Sequence, residues 1–160
     1  MIALRSPTNN DFDIIHAWPP YPPEFRELDY ALRKDGWLDE DMLKVCEDVH
    51  IAENDGEIFG FSLLTRKSEN STEFRIALHP KNLGKGIVKT IARLTLEHGF
   101  SNPAIKSICL IVRKNNPRAR KLYESLHFRN VGESIEEVNG NPVAFYQMEI
   151  DRNSFFEEII

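Results

Sequence analysis

The chain has 160 residues, 41% of them hydrophobic and 28% charged, and a net charge of -5. That length suits one domain, which at this size buries roughly 68–70% of its unfolded surface. The acidic balance excludes the basic footprint of a nucleic-acid binder, the longest apolar run (Ile108–Val112) is far too short to cross a bilayer, and the start lacks a secretory leader, so a cytoplasmic protein partnered by neither nucleic acid nor membrane is expected.

Residues 2–5 read as a short strand. Thr8 followed by Asp11 resembles a capping box that opens a helix through Phe12, Ile15 and Ala17. The prolines of Trp18-Pro-Pro-Tyr21-Pro-Pro23 forbid a continuous helix; in isolation this segment also reads as a proline-rich ligand. Phe25, Leu28 and Leu32 at helical spacing, with Gly36 placed to stop them, predict a further helix, and another is expected over Asp39–Glu47.

The middle of the chain changes period. Val49–Glu53 and Glu57–Thr65 are strands joined by Asn54-Asp55-Gly56, a tight-hairpin signal. Ser71–Leu78 is the next strand, with Phe74, Ile76 and Leu78 on one face and Glu73, Arg75 and Ala77 on the other. Gly84-Lys85-Gly86 leads into a helix carrying Ile87, Ile91 and Leu94, stopped by Gly99. Lys106–Arg113 suits a strand covered on both faces. Asn116 as cap and Pro117 as first helical residue begin a helix whose inward stripe is Ala119, Leu122, Tyr123 and Leu126. Phe128–Glu133 and Val143–Ile150 close the chain as strands. Strand–helix–strand over residues 71–113 implies a parallel crossover inside an otherwise largely antiparallel sheet, hence a single α/β (α+β) domain with helices on both sides.

Cys46 and Cys109 give no metal spacing and read as two reduced, buried thiols; the five histidines are scattered singly, so no metal is expected. The stretch that carries chemistry is Ala77-Leu-His-Pro-Lys-Asn-Leu-Gly-Lys-Gly-Ile-Val88. A glycine-rich turn from strand to helix exposes backbone N–H groups at the positive helix end, which suits a pyrophosphate, with Lys85 and Lys89 adding charge. The same glycines also fit a plain strand-to-helix turn. The turn is neither a Walker loop nor a dinucleotide fingerprint.

Ala-Leu-His-Pro followed by Gly84-Lys85-Gly86-Ile87 resembles motif A of the GCN5-related N-acetyltransferase superfamily. Asn116-Pro-Arg-Ala119-Arg-Lys-Leu-Tyr123-Glu-Ser-Leu-His-Phe128 resembles its motif B and is the more specific of the two. The resemblance covers residues 50–150 well. It implies a single domain over residues 1–160, with 1–48 supplying acceptor-side helices and 49–150 the acetyl-CoA-binding core. It implies direct transfer from acetyl-CoA to an amine of a small molecule or peptide, with the co-substrate on Ile76, Ala77, Leu78, Leu83, Gly84, Lys85, Gly86, Ile87, Val88, Lys89, Asn116 and Tyr123. The chain departs from the family's phosphate motif at Leu83, which has no side-chain donor, and at Val88, which is bulkier than the usual glycine or alanine. Backbone amides do most of the phosphate binding in the family, so the site is expected to survive. His127 stands where glycine commonly ends the motif B helix, and is expected in the left-handed conformation.

The resemblance also implies roles. The thioester would enter between the splayed strands 71–78 and 106–113, its carbonyl polarised by the backbone N–H near Leu78. Tyr123 matches the family's general acid, although its place in an apolar stripe equally suits a core tyrosine. Asn116 either holds the pantetheine arm or simply caps its helix. Some relatives carry a basic glutamate where this chain has Ile111, so Glu73 becomes the candidate base, with His79 behind it; Glu73 could instead pair with Arg75 or a neighbouring strand. Tyr21 and Tyr30 fall in the segment that lines the acceptor site in relatives, and Trp18 is expected in the core. The missing glutamate and the altered phosphate motif keep a non-catalytic coenzyme A sensor as the alternative. Oligomeric state is left open, a homodimer included.

Overall fold

The computed structural model describes residues 1–23, 48–138 and 140–159. The helices expected over residues 24–47, and with them Tyr30 and Cys46, lie outside the described residues. Seven strands form one mixed sheet: β1 (Ala3–Arg5), β2 (Asp48–Asn54), β3 (Glu57–Ser68), β4 (Ser71–Leu78), β5 (Ser107–Arg113), β6 (Arg129–Val138) and β7 (Asn141–Asp151), in the order β1-β2-β3-β4-β5-β7-β6. The helices are α1 (Asn9–His16), α2 (Ile87–Phe100), α3 (Pro117–Ser125) and α4 (Arg152–Ile159). The parallel crossover expected through residues 71–113 is present: β4 pairs with β5 in parallel, with Ser71 opposite Ser107 and Glu73 opposite Cys109. Packing divides the chain into one unit formed by residues 1–65 and 75–95, and a second formed by 66–74 and 96–160.

In the first unit local chemistry decides the turns. The β2–β3 hairpin turns on Asp55 (φ 52°) and Gly56 (φ 82°), both left-handed, as a two-residue turn matched to strand twist demands. The Asp11 carboxylate accepts from the Thr8 backbone N–H at 2.6 Å and Thr8 Oγ1 at 3.1 Å, closing the start of α1. Arg5 grips the same carboxylate with its two terminal guanidinium nitrogens, at 2.7 and 2.8 Å, and its Nε reaches Glu53 at 2.9 Å. The fork from Arg5 holds the Asp11 carboxyl well below the usual range, and ties β1, α1 and β2 together. Two apolar clusters fill this unit. One holds Ile15, Trp18, Tyr21, Ile51, Ile58, Phe61, Leu63 and Ala77. The other is built on Ala52, Leu78 and Ile91, with Leu83, Ile87 and Val88 packed against it.

In the second unit Phe74, Tyr123 and Phe128 meet edge-on, with ring centroids 6.3 and 5.8 Å apart. Gly99 does not stop α2, which runs one residue further. Its end is closed instead by Arg152, which donates to the carbonyls of Phe100, Asn102 and Ile105 at 2.7, 2.7 and 3.0 Å. Arg152 opens α4, a helix the sequence analysis did not anticipate; Asp151 caps it by accepting from Ser154 N–H at 2.7 Å. β5 is covered fully on one face only, by burial of Ile108, Leu110 and Val112, while Cys109, Ile111 and Arg113 are half-covered. No helix among the described residues is long and apolar enough to cross a membrane.

The Arg5–Asp11 fork gives a stability prediction. Asp11→Asn should lower the unfolding free energy by about 1–3 kcal/mol near neutral pH, the cost of breaking hydrogen bonds to a buried charge. Because the native carboxyl titrates below its unfolded value, its contribution is present above about pH 4 and is lost as pH falls further. Urea denaturation across pH should therefore show wild type and variant converging in acid.

Candidate active site

Each half of the expected site is built inside one packing unit. In the first unit β4 ends at Leu78 and a single 3-10 turn, Pro80–Asn82, follows. His79 caps that turn, its Nδ1 accepting from Lys81 N–H at 3.1 Å, and its ring lies 5.0 Å from that of Trp18. Burial first, then the Lys81 charge, lowers the His79 pKa and favours the neutral ring that this acceptor role needs. Lys81 in turn pairs with Glu57 at the start of β3.

Beyond the turn, Gly84 and Gly86 both have φ of 77°, the left-handed region where glycine is at no disadvantage. A β-carbon on either would meet nothing within 4 Å, so these glycines are required by conformation and not by crowding. Ile87 begins α2 directly after them, and Gly84, Lys85 and Gly86 are exposed. The free N–H groups at the start of a fourteen-residue helix are the kind of backbone that an anion can meet. Leu83 and Val88 are half-buried against the Ala52–Leu78–Ile91 cluster. The side chains that depart from the family motif are spent on packing, and the backbone of the turn is left to face outward.

The orientation of Leu78 follows from strand alternation. His79 N–H donates to the Phe59 carbonyl of β3 at 2.9 Å, so the polar atoms of the preceding residue, Leu78, face the opposite edge of β4. The closeness of the Ala77 carbonyl to Gly60 on β3 agrees with that alternation. Pairing with β5 covers only Ser71–Glu73, which stops five residues (78 less 73) before Leu78. Tyr21, expected at the acceptor site, is instead buried with Trp18, and its hydroxyl donates to the Leu78 carbonyl at 2.8 Å. Trp18 is in the core, as anticipated. Ile76 is half-buried and Ala77 buried.

In the second unit Asn116 caps α3, its Oδ1 accepting from Ala119 N–H at 3.2 Å. Tyr123 is buried, and among the described residues its hydroxyl has no hydrogen-bond partner. Desolvation pushes the phenol well above its ordinary pKa and keeps it protonated. His127 takes the left-handed conformation expected of it (φ 75°). Glu73 is buried as well, 3.7 Å from Lys67 Nζ. Its opposite number on β5, Cys109, has its thiol pKa raised by burial first and by the Glu73 charge second.

Residues 13–128 match the model of the acetyltransferase (GNAT) family. The chain belongs to that family. It is an acyltransferase that uses acetyl-CoA to acetylate an amine. The chain is 30% identical over 137 residues to a spermidine N(1)-acetyltransferase of Vibrio cholerae, an alignment covering 82% of this chain and 76% of the relative. It superposes with TM-score 0.79 and 26% identity on a spermidine N-acetyltransferase chimera from Vibrio cholerae and hSSAT, over 97% of this chain and 98% of the other. An aminoglycoside acetyltransferase in complex with coenzyme A and kanamycin shares the fold with TM-score 0.78 at 18% identity, both chains covered in full.

The glycine turn yields the next prediction. A β-carbon at residue 86 meets nothing within 4 Å, and aspartate tolerates positive φ better than most residues, so Gly86→Asp should fold at some cost in stability. Calorimetry should show acetyl-CoA affinity falling at least about tenfold, by charge repulsion at a helix N-terminus. Unchanged affinity in the folded variant would move the pyrophosphate elsewhere.

Proposed function

We propose that the acceptor is a small polyamine-type cation and that Leu78, Tyr123 and Glu73 carry the transfer. The observation that carries this reading is the pair of left-handed glycines opening directly onto α2, an arrangement suited to the pyrophosphate of acetyl-CoA. The likeness to a spermidine N(1)-acetyltransferase supports the acceptor class, and so does the excess of acidic over basic residues, 25 against 20, which favours encounter with a polycation.

In the proposed reaction residues 83–88, with Lys85 and Lys89, bind the pyrophosphate, and Ile76–Leu78 accompany the pantetheine. The cap of α3 uses Asn116 Oδ1 and leaves the side-chain NH2 as a donor to a pantetheine carbonyl. The neutral amine attacks the thioester carbon while Leu78 N–H stabilises the developing oxyanion. Glu73 accepts the ammonium proton, directly or through water. Collapse of the adduct forms the amide, breaks the carbon–sulfur bond and expels coenzyme A thiolate, to which Tyr123 donates its proton. Burial keeps the phenol protonated before reaction but makes the phenolate costly, so the step depends on the thiolate forming within hydrogen-bond reach of the hydroxyl.

A panel of primary amines tests the acceptor: thiol release should be fastest with linear polyamines, and a preference for an uncharged or aromatic amine would overturn that assignment. With the best acceptor, Tyr123→Phe should lower turnover roughly ten- to a thousandfold with little change in acetyl-CoA affinity. An unchanged rate makes Tyr123 a packing residue. Glu73→Gln should lose rate near neutral pH and recover it as rising pH deprotonates the amine. A rate ratio constant across pH makes Glu73 a structural charge, paired with Lys67, and not the base.

A further inference from the structure

We infer that Tyr21 is a positioning residue for the transfer: its hydroxyl, 2.8 Å from the Leu78 carbonyl oxygen, fixes the backbone of the residue whose N–H meets the thioester. The inference rests on the proposed role of Leu78 N–H.

The Leu78 peptide group is held from both sides. Its carbonyl accepts from Tyr21, and the N–H at its other end, that of His79, donates to Phe59 on β3. One residue earlier, the Ala77 carbonyl lies against Gly60 at a distance that leaves no room for a side chain. The Leu78 N–H and C=O point to the same edge of β4, as the pleat requires. Along that edge the ladder to β5 ends at Glu73, so among the described residues no strand partner fixes Leu78 there. Tyr21 takes over what a neighbouring strand's N–H does in an uninterrupted sheet. It restrains the plane that follows Leu78, and so limits the Leu78 φ and ψ through which the N–H of the preceding plane is oriented.

The tyrosine suits the task. Pro20, Pro22 and Pro23 lock their own φ angles around it, so little backbone freedom is lost in presenting the hydroxyl. The ring is buried among Ile15, Trp18 and Phe61, which keeps water from replacing the bond. An oxyanion donor acts only when preset toward the position where charge develops, so a small rotation of the Leu78 peptide costs rate before it costs binding.

The test is Tyr21→Phe, which keeps the ring and removes the hydroxyl, with Ile15→Val as a control that loosens the same cluster without touching the bond. Two readouts are taken: steady-state rates with the best amine, and the infrared stretch of the thioester carbonyl of bound, carbonyl-labelled acetyl-CoA. In wild type the stretch should lie below its value for acetyl-CoA in an aprotic solvent, because a donor N–H engages the oxygen. Tyr21→Phe should raise that stretch and lower kcat about five- to fiftyfold, with KM for acetyl-CoA within about twofold. Ile15→Val should lower the melting temperature and leave stretch and kcat at wild-type values. A lowered stretch in wild type that Tyr21→Phe does not move, with kcat unchanged, overturns the role of Tyr21 while the Leu78 donor stands. Equal losses of kcat in Tyr21→Phe and Ile15→Val also overturn it, since both would then report loosened packing. A wild-type stretch that is not lowered removes the donor itself, and the inference falls with it.

Discussion

At Gly60 the backbones of β3 and β4 approach so closely that a β-carbon would stand 2.6 Å from the Ala77 carbonyl oxygen and 2.8 Å from the Leu78 side chain. That contact has no give, because the opposing atom at 2.6 Å belongs to the backbone of a buried strand. It holds the Ala77 carbonyl toward β3, so by strand alternation the polar atoms of Leu78 face away from β3. The 3-10 turn, the left-handed glycines and the first turn of α2 all follow in chain order from the end of β4. A side chain at residue 60 would push the strand out and carry the whole sequence of elements with it. The demand for glycine here is steric, whereas at Gly84 and Gly86 it is conformational.

Much of this was legible in the sequence. Period-two alternation marked Ser71–Leu78 and Val143–Ile150, a continuous apolar run marked β5, and Asn54-Asp55-Gly56 and Asn116-Pro117 marked a hairpin and a helix start by mechanisms that act within four residues. Four features were not legible, each for a physical reason. α4 is short and carries Phe155 and Phe156 side by side, so it shows no helical stripe; the cap at Asp151 was its one local signal. Glu73 falls on a predictable face of β4, but alternation assigns a face without saying what covers it, and here the carboxylate is buried. Leu83 and Val88 look like defects when read as a phosphate motif, and only the three-dimensional packing reveals them as supports of Leu78 and Ile91. The Tyr21 bond spans 57 positions and starts in a proline-rich segment with no periodicity, so nothing local announces it.

Burial and charge divide the labour differently in the two units. Around Leu78 the control is geometric, exerted by backbone hydrogen bonds, a missing β-carbon and a stiff proline segment. Around Tyr123 it is electrostatic. A desolvated phenol framed by Phe74 and Phe128 resists ionisation, while a buried carboxylate at Glu73, on the other face of β4, is paired with Lys67. Removing the aromatic frame would let water reach the phenol and bring its proton affinity back toward that of free tyrosine.

The grip of Arg152 on three carbonyls has a practical consequence for how the molecule is cut. The recognisable motifs end at Phe128, which invites a domain boundary soon after it. Yet the backbone groups at the end of α2 and in the following loop find their donor 47 to 52 positions downstream, in the first residue of the last helix. A fragment stopped before that residue would also lose β7, the strand lying between β5 and β6, if cut at the motif's end. Stopped at Asp151 it would keep every described strand and still leave the Phe100 and Ile105 carbonyls without their Arg152 donor. The smallest faithful fragment therefore has to reach past every strand and into α4.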